Sequence, residues 1–350
     1  MTYSNFQPMI EVTRGPIVES VHFGAAAVVD ATGRLFAYYG DPYTITYLRS
    51  SAKPFQALPL IELGGAAAFH LTEEEIAITC ASHSGTDRHV EVINAIQAKV
   101  GLVESNLACG THDPIDEETT RRLIRTGEGL RNNRHNCSGK HMGMLAQAVL
   151  RHLPVEDYLN NQHPVQQADL DAFCDLCRMS PESVHLGIDG CSAPVFGVPL
   201  YNGALGYARM ADPWDVAEPR ASACRTITHA MAAYSFMVGG PNRFDTDLME
   251  LAGDRLFCKG GAEGYHGIGI RPGILGAGSP GLGITVKSSD GDHGGRSTEL
   301  MALEVLRQLG VLTAAELEKM APYDRRPVYN WRKLVVGEIR PCFTLKYPPK

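Results

Sequence analysis

Strand-like segments stand at both ends of this 350-residue chain, and helical segments fill its middle. Near the N-terminus, residues 18–23, 25–30 and 35–39 predict a hairpin or a three-stranded start. Gly-rich runs with Ile and Val between residues 258 and 287, and a closing run at 335–345, predict strands that return to the sheet. This order predicts one α+β domain over residues 1–350, with an antiparallel sheet flanked by helices.

Apolar periodicity predicts the helices of the middle region. In the helix at 88–100, Val90, Ile93, Ile96 and Val100 form one stripe. Pro59 predicts a kink in a helix at 53–63, because proline lacks the N–H of a helical hydrogen bond. Residues 187–205 are rich in Gly, Pro and Asp and predict turns around short strands. The other predicted helices cover 73–77, 117–126, 139–152, 165–178, 217–237, 297–309 and 314–320.

Composition and charge exclude several classes of function. The net charge of −7, without a Lys/Arg block, argues against nucleic-acid binding. No apolar run approaches the roughly 20 residues that span a bilayer, which argues against a membrane protein. The N-terminal residues show no secretory signal, so we expect a cytoplasmic protein. Nine cysteines in that setting predict free thiols or metal ligands rather than a disulfide framework.

A Ser-x-x-Lys pattern joins Ser50 to Lys53. If a helix starts at Ser50, the hydroxyl and the amine lie on one face, where an amine of lowered pKa can take the hydroxyl proton. Penicillin-binding proteins and class A β-lactamases carry their nucleophile at this spacing. The pattern alone is common, and a chance pair on the surface is the alternative interpretation.

Two loops add hydroxyl, thiol and amine groups. Ser82, in Ala-Ser-His-Ser-Gly, suits a loop that faces a pocket, although Ser84 or Thr86 of the same run can equally cap the helix near residue 88. The run from His135 to His141 contains two His, a Cys and a Lys, which predicts either a zinc site or an ordinary helix entry with a buried thiol.

Three further segments are candidates for the same site. Cys191 follows Asp189 in a Gly-rich segment that is either a β-turn or a second part of the metal site. Lys259, before two glycines, is the preferred second lysine, and Lys287 competes with it. Residues 109–114, which include His112, predict a loop along the cleft, and residues 239–246 predict either a carboxylate-binding turn or a simple inter-helix turn.

Together these motifs resemble the rhizobial-type L-asparaginases, also called class 3 or the asparaginase II family. The resemblance runs from residues 11–20 to the C-terminal strand, and its motifs occur in one order. It implies a fold similar to serine β-lactamases and penicillin-binding proteins, and a homodimer. It also implies two Ser-Lys tandems, Ser50 with Lys53 and Ser82 with Lys259, beside a Zn²⁺ site formed by Cys137, Lys140 and Cys191.

The resemblance implies hydrolysis of L-asparagine to L-aspartate and ammonia through an acyl-enzyme. We predict substrate contacts from Arg49, His112 and Asp189, the last of which resembles the acidic group beside the family's zinc. Two alternatives stay open: a glutaminase-like or β-lactamase-like serine hydrolase, and a non-catalytic protein in which zinc binding to Cys137, Lys140 and Cys191 is structural.

Overall fold

A computed structural model describes residues 5–349 of the chain. These residues form two compact units. The first comprises residues up to Ser51, then 198–212 and 260 onward, and the second comprises 52–197 and 213–259. The prediction that one domain encloses both stays a prediction.

The first unit is built on a sheet with strands from both ends of the chain. The strand order of the sheet is β10-β11-β1-β2-β9-β8-β7, and β3 pairs with β2. Of β7, only residues 260 and 261 belong to the first unit. The pairs β1–β2, β2–β3, β2–β9, β8–β9, β1–β11 and β10–β11 are antiparallel. The strands are β1 (Gln7–Arg14), β2 (Ile17–Asp30), β3 (Leu35–Tyr39), β7 (Leu256–Gly261), β8 (Tyr265–Ile270), β9 (Leu282–Ser288), β10 (Arg326–Tyr329) and β11 (Val335–Pro341), with β4 (Ile45–Tyr47), β5 (His185–Ile188) and β6 (Pro194–Pro199) outside this sheet.

Helices cover both faces of the sheet in the first unit. Gly283 of β9 lets helix α9 (Leu200–Ala211) approach, since a Cβ there would stand 1.7 Å from the Ala204 carbonyl oxygen. On the other face, a Cβ on Gly24 would meet Met301 of helix α13 (Thr298–Leu309). The predicted fold class, α+β with an antiparallel sheet flanked by helices, is confirmed.

The second unit is mainly helical and packs around α7, which is buried over most of its length. Helices α2, α4 and α5 contact α7. Within α7, a Cβ on Gly139 would lie 1.9 Å from the Ile78 carbonyl oxygen, so only glycine lets α7 pack this closely on α4. The helices are α1 (Lys53–Gln56), α2 (Leu58–Glu62), α3 (Gly65–Ala68), α4 (Glu73–Thr79), α5 (Asp87–Val100), α6 (Glu117–Thr126), α7 (Ser138–Leu150), α8 (Pro164–Cys177), α10 (Arg220–Ala233), α11 (Ser235–Val238) and α12 (Phe244–Ala252), and the first unit adds α14 (Ala314–Lys319).

Several predicted boundaries were wrong. The helix expected at 53–63 is two short helices, α1 and α2, separated at Ala57. The break lies two residues before Pro59, which cannot donate a helical hydrogen bond, and not at Pro59 itself. The two strands expected at 18–23 and 25–30 are one strand, β2. Residues 244–246, read as the end of a turn at 239–246, form the start of α12. None of the helices within residues 5–349 combines the length and apolar character that crossing a membrane requires.

Candidate active site

Ser82 lies in the loop that follows α4, in the second unit. Helix α4 starts at a capping box, in which the Thr72 hydroxyl accepts from the Glu75 N–H and the Glu75 carboxylate accepts from the Thr72 N–H. After the helix ends, the Ser82 N–H donates to the Val238 carbonyl at 3.0 Å. Ser82 is buried, so its hydroxyl is held in a defined place rather than in solvent.

The Lys53 amine contacts the Ser82 hydroxyl. Lys53 is the first residue of α1 and is fully buried. Its Nζ donates to the Ala81 carbonyl at 2.6 Å and to Ser82 Oγ at 2.9 Å, and the Asn136 carbonyl lies at 3.5 Å. Because the buried Lys53 amine is within hydrogen-bond distance of the buried Ser82 hydroxyl, a proton can pass between the two groups. The two residues stand 29 positions apart in sequence, so the fold creates this pair.

Lys259 is a second buried lysine of the same unit. It lies on β7, and its Nζ contacts Asp245 Oδ2 of α12 at 3.4 Å. Burial lowers the pKa of Lys259 to about 8, the Asp245 carboxylate opposes this shift, and the nearby Lys53 charge adds to it. An amine with a pKa near 8 can hold or release a proton around neutral pH.

Ser50 and Arg49 belong to the first unit, which ends at Ser51, whereas Lys53 belongs to the second. Both lie in a short 3-10 helix, Arg49–Ala52, and Ser50 is half-buried. Arg49 has a φ of 52°, an unusual backbone conformation for a residue with a side chain, and its guanidinium lies 3.9 Å from Glu263 Oε1. The roles of Ser50 as nucleophile and Arg49 as substrate contact stay predictions.

Cys137, Lys140 and Cys191 come together in the second unit, and all three are buried. Cys137 immediately precedes α7, Lys140 lies in its first turn, and the Lys140 Nζ lies 3.0 Å from Cys191 Sγ. A hydrogen bond from Cys191 holds the pKa of Cys137 well below its usual value, although burial opposes it, and the Lys53 and Lys140 charges help. Burial disfavours the Lys140 ammonium, but electrostatic attraction to Cys191 and Cys137 outweighs burial and raises the Lys140 pKa above its usual value.

This donor set fits zinc. Two ligands on one tetrahedral zinc, at about 2.3 Å for sulfur and about 2.0 Å for nitrogen, stand about 3.5 Å apart, close to the observed Lys140–Cys191 separation. His141 Nδ1 is paired with the Tyr158 hydroxyl at 2.5 Å. The buried His141 Nε2 makes no hydrogen bond to another described residue. Burial lowers the pKa of this ring to about 4, and Cys191 opposes the shift, so a sulfur lies near the ring. This geometry supports a metal site at Cys137, Lys140 and Cys191, and the zinc site itself stays a proposal.

Two predicted substrate contacts lie beside these groups. The Cys191 thiol lies 3.9 Å from Asp189 Oδ2, and the Asp189 charge contributes to the raised pKa of Lys140. The His112 ring is half-buried, and its Nε2 accepts from the Asn136 N–H at 3.0 Å. The Asn136 carbonyl in turn contacts Lys53, so Asn136 connects the His112 ring to the Lys53–Ser82 pair.

Buried histidines around the site stay neutral near pH 7. Burial lowers the pKa of His135 and of His141 to about 4, and that of His83 well below its usual value. The His83 Nε2 is paired with the Ser138 hydroxyl at 2.8 Å, and that hydroxyl lies 2.9 Å from the Asn133 carbonyl, which ties the Ser82 loop to the start of α7. The lysines therefore supply the positive charge of this region.

The structure bears on two alternatives that the sequence left open, the cap of α5 and the second lysine. Thr86 directly precedes α5, and its N–H and hydroxyl both contact His89 Nδ1, whereas the Ser84 hydroxyl donates to the Gly239 carbonyl. Lys287, the rival of Lys259, lies in the first unit, where its amine donates to the backbone carbonyls of Glu263 and Ser288.

Sequence reasoning missed two groups of this site. Asp245 was contained in the segment read as a turn, and its acidic side chain beside glycines was the only signal. Cys109 was read only as part of a loop, but burial and the charges of Cys137 and Cys191 raise its pKa to about 12, so its thiol lies near theirs. None of the nine cysteines, all within residues 5–349, forms a disulfide.

Comparison with known proteins decides the family. A family model described as L-asparaginase II matches residues 10–341. The chain belongs to the L-asparaginase II family. The resemblance drawn from the sequence motifs is thereby confirmed, and membership of the L-asparaginase II family supports an amidohydrolase.

Solved structures show weaker similarity to this L-asparaginase II family member. A Bacillus glutaminase, determined in the presence of 4.3 M NaCl, is 12% identical with a TM-score of 0.38, and the match covers 82% of this chain and 91% of that one. A protein named Mglu is 16% identical with a TM-score of 0.34, covering 82% and 67%. No curated protein matches the chain.

Proposed function

We propose that this member of the L-asparaginase II family hydrolyses L-asparagine to L-aspartate and ammonia through an acyl-enzyme. The observation that carries the proposal is the contact between the buried Lys53 amine and the Ser82 hydroxyl at 2.9 Å. A hydroxyl is a weak nucleophile until a positioned base takes its proton, and this contact supplies the amine half of that chemistry.

The first step is attack on the side-chain amide. Ser50 Oγ bonds to the amide carbon while neutral Lys53 Nζ takes its proton. The base in this step is the amine form of Lys53, which has two N–H bonds and one lone pair. The lone pair takes the serine proton, and the N–H bonds remain for two of the three oxygens that Nζ contacts, Ala81 O, Ser82 Oγ and Asn136 O. The backbone N–H of Ser50 is a candidate donor to the oxyanion.

The second step expels ammonia and the third releases aspartate. As the carbon–nitrogen bond breaks, the leaving nitrogen receives a proton through Ser82 and Lys259. Water then attacks the Ser50 ester, and Ser82 and Lys259 accept its proton. As the acyl–oxygen bond breaks, Lys53 returns its proton to Ser50 Oγ, and L-aspartate leaves with Ser50 restored. Lys259 suits this double duty because its pKa of about 8 allows both protonation states near neutral pH.

Zn²⁺ held by Cys137, Lys140 and Cys191 would supply a Lewis acid beside the substrate. Asp189, on the Cys191 turn, and His112, beside Asn136, are the proposed contacts on that side. We assign Arg49, next to Ser50 in sequence, to the substrate carboxylate, since a guanidinium pairs with carboxylates in a bidentate fashion.

The rival functions predict different rates. A glutaminase would favour glutamine, a β-lactamase-like enzyme would hydrolyse nitrocefin, and a non-catalytic zinc protein would bind metal without releasing ammonia. Measuring ammonia release from asparagine and glutamine, with and without added zinc, and nitrocefin hydrolysis separates these cases. The proposal predicts that asparagine is hydrolysed faster than glutamine and nitrocefin.

A homodimer is also proposed. Strand β2 in the first unit exposes large apolar side chains, among them Ile17 at 67% and Phe23 at 43%. Exposed Trp331, in the turn between β10 and β11, belongs to the same unit. Apolar groups of this size on a surface favour burial against a partner. Light scattering at several protein concentrations tests the dimer, and the cytoplasmic location stays a prediction.

The experiment that tests the nucleophile compares two alanine variants. Ser50→Ala should lower kcat by about 10³-fold or more with the fold intact, because no other group forms the ester. Ser51→Ala, the neighbouring hydroxyl of the same 3-10 helix, is the matched control and should retain most of the turnover. Near-normal turnover by Ser50→Ala would move the nucleophile to Ser82.

A further inference from the structure

One short segment of the second unit ties Ser82 to Lys259. At its start, the Val238 carbonyl accepts from the Ser82 N–H at 3.0 Å, and the Gly239 carbonyl accepts from the Ser84 hydroxyl at 2.8 Å. At its end, Asp245 in the first turn of α12 contacts Lys259. The segment from Val238 to Asp245 therefore positions both the loop that carries Ser82 and the Asp245 carboxylate that contacts Lys259.

The segment is fixed by its own hydrogen bonds. The Thr246 hydroxyl lies 2.8 Å from the Gly240 carbonyl and 3.4 Å from the Ser235 carbonyl, which closes the turn before α12. Asp245 itself is buried. A carboxylate that is buried and held by a closed turn has little freedom to leave the amine that it faces.

Asp245 is the acidic group among the charges that act on Lys259. Lys53 on α1 and Arg243 just before α12 both disfavour the Lys259 ammonium, as does burial. The Cys258 thiol, next in sequence and 3.8 Å from Asp245 Oδ1, has its pKa raised by burial and by Asp245, and burial raises the pKa of Cys80 to about 12. Both thiols are therefore neutral near pH 7, and Asp245 alone of these groups opposes the cations.

We propose that Asp245 is a positioning residue that keeps Lys259 protonated until the amide bond breaks, so that the proton passes from Lys259 Nζ to the departing ammonia nitrogen. The proposal rests on the proposed amidohydrolase function. The balance is simple: the carbon–nitrogen bond breaks, the nitrogen gains one proton, and Lys259 is left as a neutral amine that can accept a proton from the deacylating water.

The contact between Asp245 and Lys259 predicts how the pKa of Lys259 changes when Asp245 is replaced. Since Asp245 is the group that raises the pKa of Lys259 toward its ordinary value, Asp245→Asn should lower that pKa further below about 8. An opposite charge at this distance moves a pKa by about 1–3 units. At pH 7 the variant would then have half or less of its Lys259 protonated, so fewer molecules could supply the proton that ammonia needs.

The test uses two variants of the same helix turn. Asp245→Asn removes the carboxylate that faces Lys259, and Asp247→Asn removes a neighbouring carboxylate from the first turn of α12, which controls for the helix dipole. Asp245→Glu restores the charge at the same position. Circular dichroism and thermal unfolding of each variant show whether it folds.

The first readout needs no substrate. In lysine-¹⁵N-labelled protein, the Nζ resonance of Lys259, assigned with Lys259→Met, is followed from pH 5 to pH 10. We expect its midpoint to fall by about one pH unit or more in Asp245→Asn and to stay in place in Asp247→Asn. An unchanged midpoint in folded Asp245→Asn would overturn the role of Asp245, whether or not the protein is an asparaginase.

The second readout compares leaving groups. Asp245→Asn should lose amide hydrolysis at pH 7 by about 2-fold to 100-fold, in proportion to the measured fall of the Lys259 pKa by about 1–3 units, while it retains hydrolysis of the 4-nitrophenyl ester of the same aspartyl group, whose leaving group needs no proton. Asp245→Glu should recover part of the amide rate. Equal losses on amide and ester would mean a purely structural role and would overturn the proposal. A wild-type protein inactive on both substrates, with the Nζ shift intact, would refute the proposed function instead.

Discussion

The Lys53 amine can be removed with little change in shape by the substitution Lys53→Met. Methionine has nearly the length of lysine and an apolar, flexible side chain that suits a buried position. The variant loses the contacts with the Ala81 carbonyl and Ser82 Oγ, while the surrounding helices keep a side chain of similar volume. It therefore isolates the amine from the packing.

The structure gives the expected sizes of the effects. Loss of a general base costs about 10²–10⁴-fold in kcat. Leaving the buried Ala81 carbonyl without its donor costs about 1–3 kcal/mol of stability, but the variant no longer buries an amine, which offsets part of that cost. We expect a net change in the free energy of unfolding within about 2 kcal/mol. The pKa of Lys259 should rise, because the Lys53 charge that lowers it is gone.

Ammonia release at saturating asparagine, together with urea unfolding, measures both effects. Lys99→Met is the matched control, since it removes an amine paired with Glu75 at 2.6 Å on a different face of the unit. Lys99→Met should retain kcat. If Lys53→Met folds and turns over asparagine within tenfold of the wild type, Lys53 is not the base and the mechanism is wrong.

Two further predictions concern the metal site and a buried carboxyl. Cys137→Ser and Cys191→Ser should each lose bound zinc on dialysis, and zinc affinity measured by competition with a chelator should fall as pH falls, because the proton competes for the Lys140 amine whose pKa the thiolates raise. An affinity that does not change between pH 6 and pH 8 would exclude Lys140 as a ligand. Burial raises the pKa of Asp169 well above its usual value, with Gln147 as its hydrogen-bond donor, so the folded state gains from this group below the unfolded pKa and loses that gain as pH rises toward the folded pKa. Asp169→Asn should therefore flatten the decline of unfolding free energy above pH 4, and an unchanged pH dependence would contradict this.

The sequence predicted the fold class because periodicity is local. The alternating and Gly-rich runs at both ends became the sheet, and the apolar stripe at 88–100 became α5. Boundaries that depend on contacts were less predictable. The break at Ala57 and the helix α12 both lie where burial decides the backbone, and α12 has two Asp residues in its first turn that read equally well as a turn.

Local spacing could supply the parts of the site but not their pairing. Ser-x-x-Lys pointed to Lys53, yet the hydroxyl that Lys53 contacts is Ser82, 29 positions later. Asp245 was passed over because its partner, Lys259, is 14 positions away on a strand. A metal site shared by Cys137 and Cys191 was one of two interpretations of the Cys191 turn, and only the family resemblance favoured it, since no spacing rule links residues on a helix start and a distant turn.

The central claim is that Ser50 carries the acyl group, and trapping that group tests it most directly. The wild-type protein is mixed with asparagine, quenched in acid within milliseconds, digested and analysed by mass spectrometry, with Ser50→Ala and Ser82→Ala treated alike. The account predicts an aspartyl adduct on the peptide that contains Ser50, absent from Ser50→Ala. An aspartyl adduct on the Ser82 peptide, or rapid ammonia release with no adduct on either serine, would contradict it.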